Sequence, residues 1–206
     1  MATFITFEGT EGSGKSTQAA LLAENLRAAG REVVLTHEPG GTDVTLAIRR
    51  LLADPESILD SRAELLLFLA DRAQHVATVI RPALERGAIV VCDRYADSTM
   101  AYQGYGRGHK LPMLRELSAW ASRDLDPDLT IWIDVDIEVG LHRARGGDGG
   151  PGDRFEAEPL AFHSAIHTGF TALAAAEPGR FVRIDGNREL DAVTVDVIAA
   201  VHSHLS

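Results

Sequence analysis

The chain has 206 residues, 45% of them hydrophobic and 24% charged, which suits one well-buried globular domain and leaves too little for a second full one. A formal net charge of −10 argues against a general nucleic-acid or acidic-membrane binder, because both need a basic surface. No apolar run approaches the ~20 residues that span a bilayer, the N-terminus enters a strand pattern with no signal-like segment, and the single cysteine, Cys92, can form no internal disulfide, so a cytoplasmic setting is expected.

The first apolar run, Phe4–Phe7, reads as a buried strand that ends in a glycine-studded loop. Gly9-Thr10-Glu11-Gly12-Ser13-Gly14-Lys15-Ser16, followed by Thr17, satisfies G-x-x-x-x-G-K-[ST] in full. Backbone N–H groups of such a loop wrap phosphates, and the lysine bridges the β- and γ-phosphates. The Ser16 hydroxyl can ligate Mg2+, and the helix that follows directs its positive end at the anion. A nucleoside triphosphate such as ATP, with Mg2+, is therefore expected. Glu11 is the anomaly, a carboxylate placed where a polyanion should dock.

Ala19, Leu22 and Leu26 fall at i, i+3 and i+7 of the next helix, and Gly30 is its expected stop. Val33–Thr36 reads as a second buried strand, and Asp43–Ala53 as a short helix broken by Asp54-Pro55. The longest helical pattern runs from Ser61 to Gly87, where Pro82 should kink it or start a new helix near Arg81. Its apolar positions cover more than one face, which suits packing against a second subunit and hence a homodimer. Phe68, Arg72 and His75 share one face of it, at i, i+4 and i+7. An aromatic ring one turn from an arginine can stack on a nucleobase and donate to its carbonyl. A core Phe beside a surface-paired Arg fits the same spacing, and His75 reads as structural.

A third buried strand, Ala88–Cys92, delivers Asp93 and Arg94 at its carboxyl end, the side where parallel α/β sheets bind ligands. Asp93 can orient Mg2+ through water, and Arg94 can hold a phosphate by paired hydrogen bonds; a salt bridge in a turn is the plain alternative. The fourth strand, Leu129–Ile133, also runs into an aspartate, Asp134, so Arg94 is what favours Asp93. Further on, "GGDGGPG" is too rich in Gly and Pro to hold a helix. Arg143, Arg145 and Arg154 flank it and suit a lid over 142–156 that brings positive charge to a transferring phosphoryl group. Phe181–Ile184 is the last strand. The alternating order predicts one α/β domain over 1–206, a five-stranded parallel sheet flanked by helices.

Five motifs in order, "FEGTEGSGKSTQ", "EPGGT" from Glu38, "FLADRAQHV" from Phe68, "DRYADSTMAYQGYGRG" from Asp93 and "DRFE" from Asp153, resemble the thymidylate kinase family. That family has the P-loop nucleoside monophosphate kinase fold and phosphorylates dTMP with ATP. The resemblance runs from Phe4 to about Phe170. It implies that Arg94 holds the dTMP phosphate, with Arg49 beside it. Phe68 would stack on thymine and Arg72 would donate to the pyrimidine carbonyl. Ser98, Tyr102 and Gln103 would read the base and sugar, with Thr99 as the alternative to Ser98, and Glu38 falls on the substrate side. Glu11 would accept from the sugar 3′-hydroxyl; pairing with a neighbouring arginine is its plainer role. One branch of the family carries a basic residue directly after that acidic one. Here the position is Gly12, so the chain is similar to the bacterial branch, whose catalytic arginine sits in the lid, and the order of candidates is Arg154, Arg145, Arg143. The acceptor, a phosphate monoester with a second pKa of about 6, is already a dianionic nucleophile at neutral pH, so no general base is expected. The competing readings are a nucleoside kinase with Glu38 as base, and a GTP-dependent switch, for which an N-K-x-D motif is missing.

Overall fold

The computed structural model describes residues 2–146 and 153–205. One parallel sheet contains β1 (Thr3–Glu8), β2 (Val33–His37), β3 (Ile89–Asp93), β4 (Leu129–Asp134) and β5 (Phe181–Asp185), in the spatial order β2-β3-β1-β4-β5. Each strand matches its expected run to within one residue at either end. Registers that set Phe7 and His37 beside Asp93, and Glu8 beside Trp132, gather the polar strand ends along one edge.

Alternation along β1 divides the core between the two faces of the sheet. Ile5 and Phe7 pack with Leu22 and Leu26 of α1 (Lys15–Ala28) and Val197 of α9 (Leu190–Leu205). Phe4 packs on the opposite face with Ile80, Val90 and Cys92. Cys92 is buried there as a free thiol, as its apolar neighbours suggest. β2 departs from expectation. It is an edge strand with Leu35 exposed, because among the described residues only β3 flanks it.

Between β2 and β3, α2 (Asp43–Ala53) starts at a reciprocal Thr42–Thr45 cap. The long helical pattern then divides into α3 (Ser61–His75), a π-helical stretch (Val76–Ile80) and α4 (Arg81–Glu85). Pro82 cannot donate to the preceding turn and its ring crowds the carbonyl there, so a wider turn ahead of it relieves the clash. After β3 come α5 (Ala96–Thr99) and a second π-helical stretch, Met100–Gly106, which no sequence pattern announced. α6 (Leu111–Ser122) packs on α3, and α8 (Leu160–Ala176) packs on the second π-helical stretch. α7 runs from Ile137 to Gly146. Residues 147–152 of the expected lid lie outside the described residues.

Candidate active site

A cavity of about 410 Å³ opens at the carboxyl edge of the sheet, between the glycine loop, α3, the second π-helical stretch and residues 153–156. The loop runs from Gly9 through Thr10, Glu11, Gly12 and Ser13 to Gly14, and Lys15, Ser16 and Thr17 form the first turn of α1. Gly14 enters the helix with a left-handed φ of 92° and offers no side-chain cap, so the first N–H groups of α1 are left for an anion. Lys15 is buried, with Nζ donating to the Thr10 carbonyl at 2.7 Å and to Ser13 Oγ at 3.3 Å. Burial, reinforced by the charge of Arg94, lowers its pKa to about 8.

The Ser16 hydroxyl donates to Asp93 Oδ2, and Oδ1 of Asp93 is buried with no hydrogen-bond partner among the described residues. A hydroxyl and a half-orphaned carboxylate at a phosphate loop fit hydrated Mg2+, a hard cation that keeps several waters. Asp134, the other strand-end aspartate, is spoken for by Arg183 at 2.7 Å and His167 at 2.8 Å. The two strand-end aspartates, which the strand-Asp pattern alone does not distinguish, thus differ in their partners.

Arg94 follows β3 with φ at 68°, an unusual conformation for a side chain of its size. That turn aims the guanidinium back at the loop. It donates to the Gly9 carbonyl at 3.1 Å, to Ser98 Oγ at 3.3 Å and to Glu11 Oε1 at 3.1 Å, and it lies 4.9 Å above the Tyr102 ring. Tyr102 also donates to Glu11 Oε1, at 2.5 Å. Burial alone would raise the Glu11 carboxyl, but His163, Arg94, Lys15 and Tyr102 together outweigh it and hold the pKa at about 2. Glu11 thus has Arg94 as its ion-pair partner in this structure.

The opposite wall is built on α3. Glu38 accepts from Arg72 Nε and His75 Nδ1, both at 2.9 Å, and His75 Nε2 meets Thr36 Oγ1 at 2.7 Å. Arg72 is buried, bonds Thr99 Oγ1 at 3.0 Å and lies 5.0 Å above the Tyr95 ring. His75 is the structural prop its position suggested. Phe68 lines the cavity with its ring 6.0 Å from Phe155. Gln103 is tied to Glu64 at 2.9 Å, and Arg49 reaches the Pro39 carbonyl at 2.8 Å from the exposed rim. Ser98 Oγ donates to Glu8 at 2.5 Å, and both Ser98 and Thr99 line the cavity. Burial and the neighbouring Asp97 push Glu8 up to about 8.

The expected lid arginines are not brought to this cavity. Arg154 is anchored to Glu64 at 2.8 Å and to the Leu52 carbonyl at 3.0 Å, on the acceptor side of the site. Arg145 donates to the Glu156 carbonyl and Arg143 to the Gly186 carbonyl, both at 2.9 Å. α7 itself lies on the phosphate loop. A Cβ on Gly12 would sit 1.9 Å from the Gly140 carbonyl oxygen, so that position is closed to any side chain. Tyr95, Leu52, Asp153, Phe155 and Glu156 line the cavity without having been singled out. Asp153 and Phe155 sit inside "DRFE", where only the arginine drew notice, and Tyr95 follows Arg94 directly.

A sequence profile of the thymidylate kinase family matches residues 7–197. The thymidylate kinase of Solidesulfovibrio magneticus is 52% identical over 204 residues, covering 96% of this chain and 98% of that protein. That of Gloeobacter violaceus is 48% identical, covering 98% of this chain and 96% of that protein. The crystal structure of thymidylate kinase from Ehrlichia chaffeensis superposes with a TM-score of 0.81 at 37% identity, covering 98% of each chain.

Proposed function

The chain belongs to the thymidylate kinase family, enzymes that transfer the γ-phosphoryl group of ATP to dTMP, and from that premise we propose how its residues divide the work. The loop from Gly9 to Thr17 and the buried Lys15 take the ATP phosphates. Ser16 and Asp93 would hold Mg2+, which when bound neutralises charge across the β- and γ-phosphates. Arg94 turns from Glu11 to the dTMP phosphate, with Arg49 at the rim. Phe68, backed by Phe155, stacks on thymine, and Arg72 donates to its carbonyl from a fixed position. Gln103 and the Ser98–Thr99 pair complete the base contact. Tyr102 crowds a ribose 2′-hydroxyl, and Glu11 accepts from the 3′-hydroxyl of the deoxyribose.

The observation that carries this reading is one continuous cavity, with the phosphate loop at one end, the Phe68–Arg72 wall at the other and Arg94 between. The acceptor phosphate attacks as a dianion, so positioning and charge neutralisation supply the catalysis. Glu38 is engaged by Arg72 and His75, which favours a monophosphate acceptor over a nucleoside that would need a base. Arg154 supports the acceptor wall from behind on this reading, tied to Glu64 and packed on the Phe155 ring that lines the cavity. Arg143 and Arg145, on the helix that touches the loop, bring positive charge to the transferring group.

The chain acts as one kinase domain over 1–206, since strands from Thr3 to Asp185 join a single sheet. It pairs as a homodimer through the exposed apolar side chains of α3 and α6. Among the described residues no helix is long and apolar enough to cross a membrane; the proposed setting is cytoplasmic. Steady-state turnover of ATP with dTMP, thymidine, dUMP and dCMP tests the substrate assignment. dTMP should give the highest kcat/KM, and comparable turnover of thymidine would overturn it.

A further inference from the structure

We propose that His163 is a positioning residue whose Nδ1–H holds Oε2 of Glu11 and so aims that carboxylate at the acceptor's 3′-hydroxyl. The inference rests on the reading of Glu11 given above. His163 lies in the first turn of α8 and has no solvent exposure. Among the described residues, both of its ring nitrogens and Oε2 of Glu11 are buried without hydrogen-bond partners. Buried polar atoms are nearly always paired, yet here three orphaned atoms belong to two side chains whose Nδ1 and Oε2 are 3.4 Å apart. That is a small adjustment away from a charge-assisted hydrogen bond.

The two oxygens of Glu11 are placed differently. Oε1 is taken by Arg94 and Tyr102, while Oε2 faces only the imidazole. When Arg94 turns to a phosphate, Glu11 loses its ion-pair partner. Tyr102 and His163 remain, one on each oxygen, and they keep the carboxylate from following the guanidinium. A carboxylate oxygen has two lone-pair sites, so once Arg94 has turned away Oε1 can accept from Tyr102 and from a sugar hydroxyl together, while His163 holds the buried Oε2. The Nδ1–H tautomer suits the place, because it leaves only a lone pair, not a donor, unpaired at Nε2. The imidazole lies edge-on to the Phe162 ring, with centroids 5.8 Å apart; what it adds beyond ring packing is a donor.

The experiment measures the ratio of kcat/KM for dTMP to that for 3′-deoxy-dTMP in the full-length enzyme. His163→Phe, which keeps the ring volume, should lower this ratio roughly tenfold, as expected for losing a hydrogen bond to a charged group. His163→Leu serves if the Phe variant does not fold. His163→Gln, whose amide N–H can donate, should keep most of the ratio. In a Glu11→Ala background, His163→Phe should change nothing further. A wild-type ratio in His163→Phe, or an equal drop with and without Glu11, overturns the proposal. A wild-type ratio in Glu11→Ala overturns the reading of Glu11 and this proposal with it, whereas loss in Glu11→Ala alone overturns only the role of His163.

Discussion

Lys15 shows how a functional charge weighs on the fold. Below pH 8 it is protonated in both the folded and the unfolded chain, and only the folded chain bears the cost of burying it. Between pH 8 and its ordinary value of 10.5 the folded chain gives up the proton first, so stability should rise across that window. Lys15→Met, unfolded by urea without nucleotide, should be more stable than wild type by on the order of 3 kcal/mol below pH 8, with the advantage fading toward pH 10.5. An advantage that ignores pH would mean the charge is not its cause. Phe68 makes the complementary case for the substrate. Phe68→Ala should raise KM for dTMP roughly tenfold, the scale of one base–aromatic stack, and leave KM for ATP alone; equal changes would return Phe68 to the core. The Phe68–Arg72 pair was legible because helical spacing puts both on one face, and Lys15 because the loop motif is local. Glu11's partners were not, because Arg94, Tyr102 and His163 reach it from three distant elements.

At the scale of elements, the contact between α7 and the phosphate loop explains a missing side chain. Gly12 has φ at 64° and faces the Gly140 carbonyl, while a Cβ on Gly140 would lie 2.5 Å from the Glu11 carbonyl oxygen. Neither residue can grow without prising helix from loop. Gly12→Ala should lower Tm by several degrees and reduce kcat; an unchanged Tm would show that the two elements separate freely. The sequence pattern marked Gly12 as lacking charge, but only packing gives the reason. Arg154 teaches the converse. "DRFE" marked the segment, and its arginine was ranked first for the transition state. Its partners, Glu64 on α3 and the Leu52 carbonyl at the end of α2, come from elements whose approach no local pattern encodes. Arg154→Ala should therefore raise KM for dTMP more than it lowers kcat. A fall in kcat of about 10³ or more would restore it as the arginine that meets the phosphoryl group.

For the whole molecule, strand order and boundaries were legible because buried parallel strands read as short apolar runs between amphipathic helices. The π-helical stretch that carries Tyr102 and Gln103 was not, since an i→i+5 turn has no periodicity of its own to announce it. The apolar face of α3 was expected to find a partner. Leu66 is 60% exposed there, and on the neighbouring α6 Trp120 is 79% exposed. Leu66→Glu should convert a dimer to monomer in sedimentation velocity; a wild type that sediments as a monomer would remove the pairing. Across the site, the cations proposed for the phosphates already hold partners of their own. Arg94 holds Glu11, and Lys15 holds the Thr10 carbonyl. Substrate capture is therefore a trade of partners, with net affinity set by the difference between two similar contacts. The same internal partners stand ready to reclaim each cation as product departs, so the arrangement that limits how tightly dTDP and ADP are held also limits how long they stay.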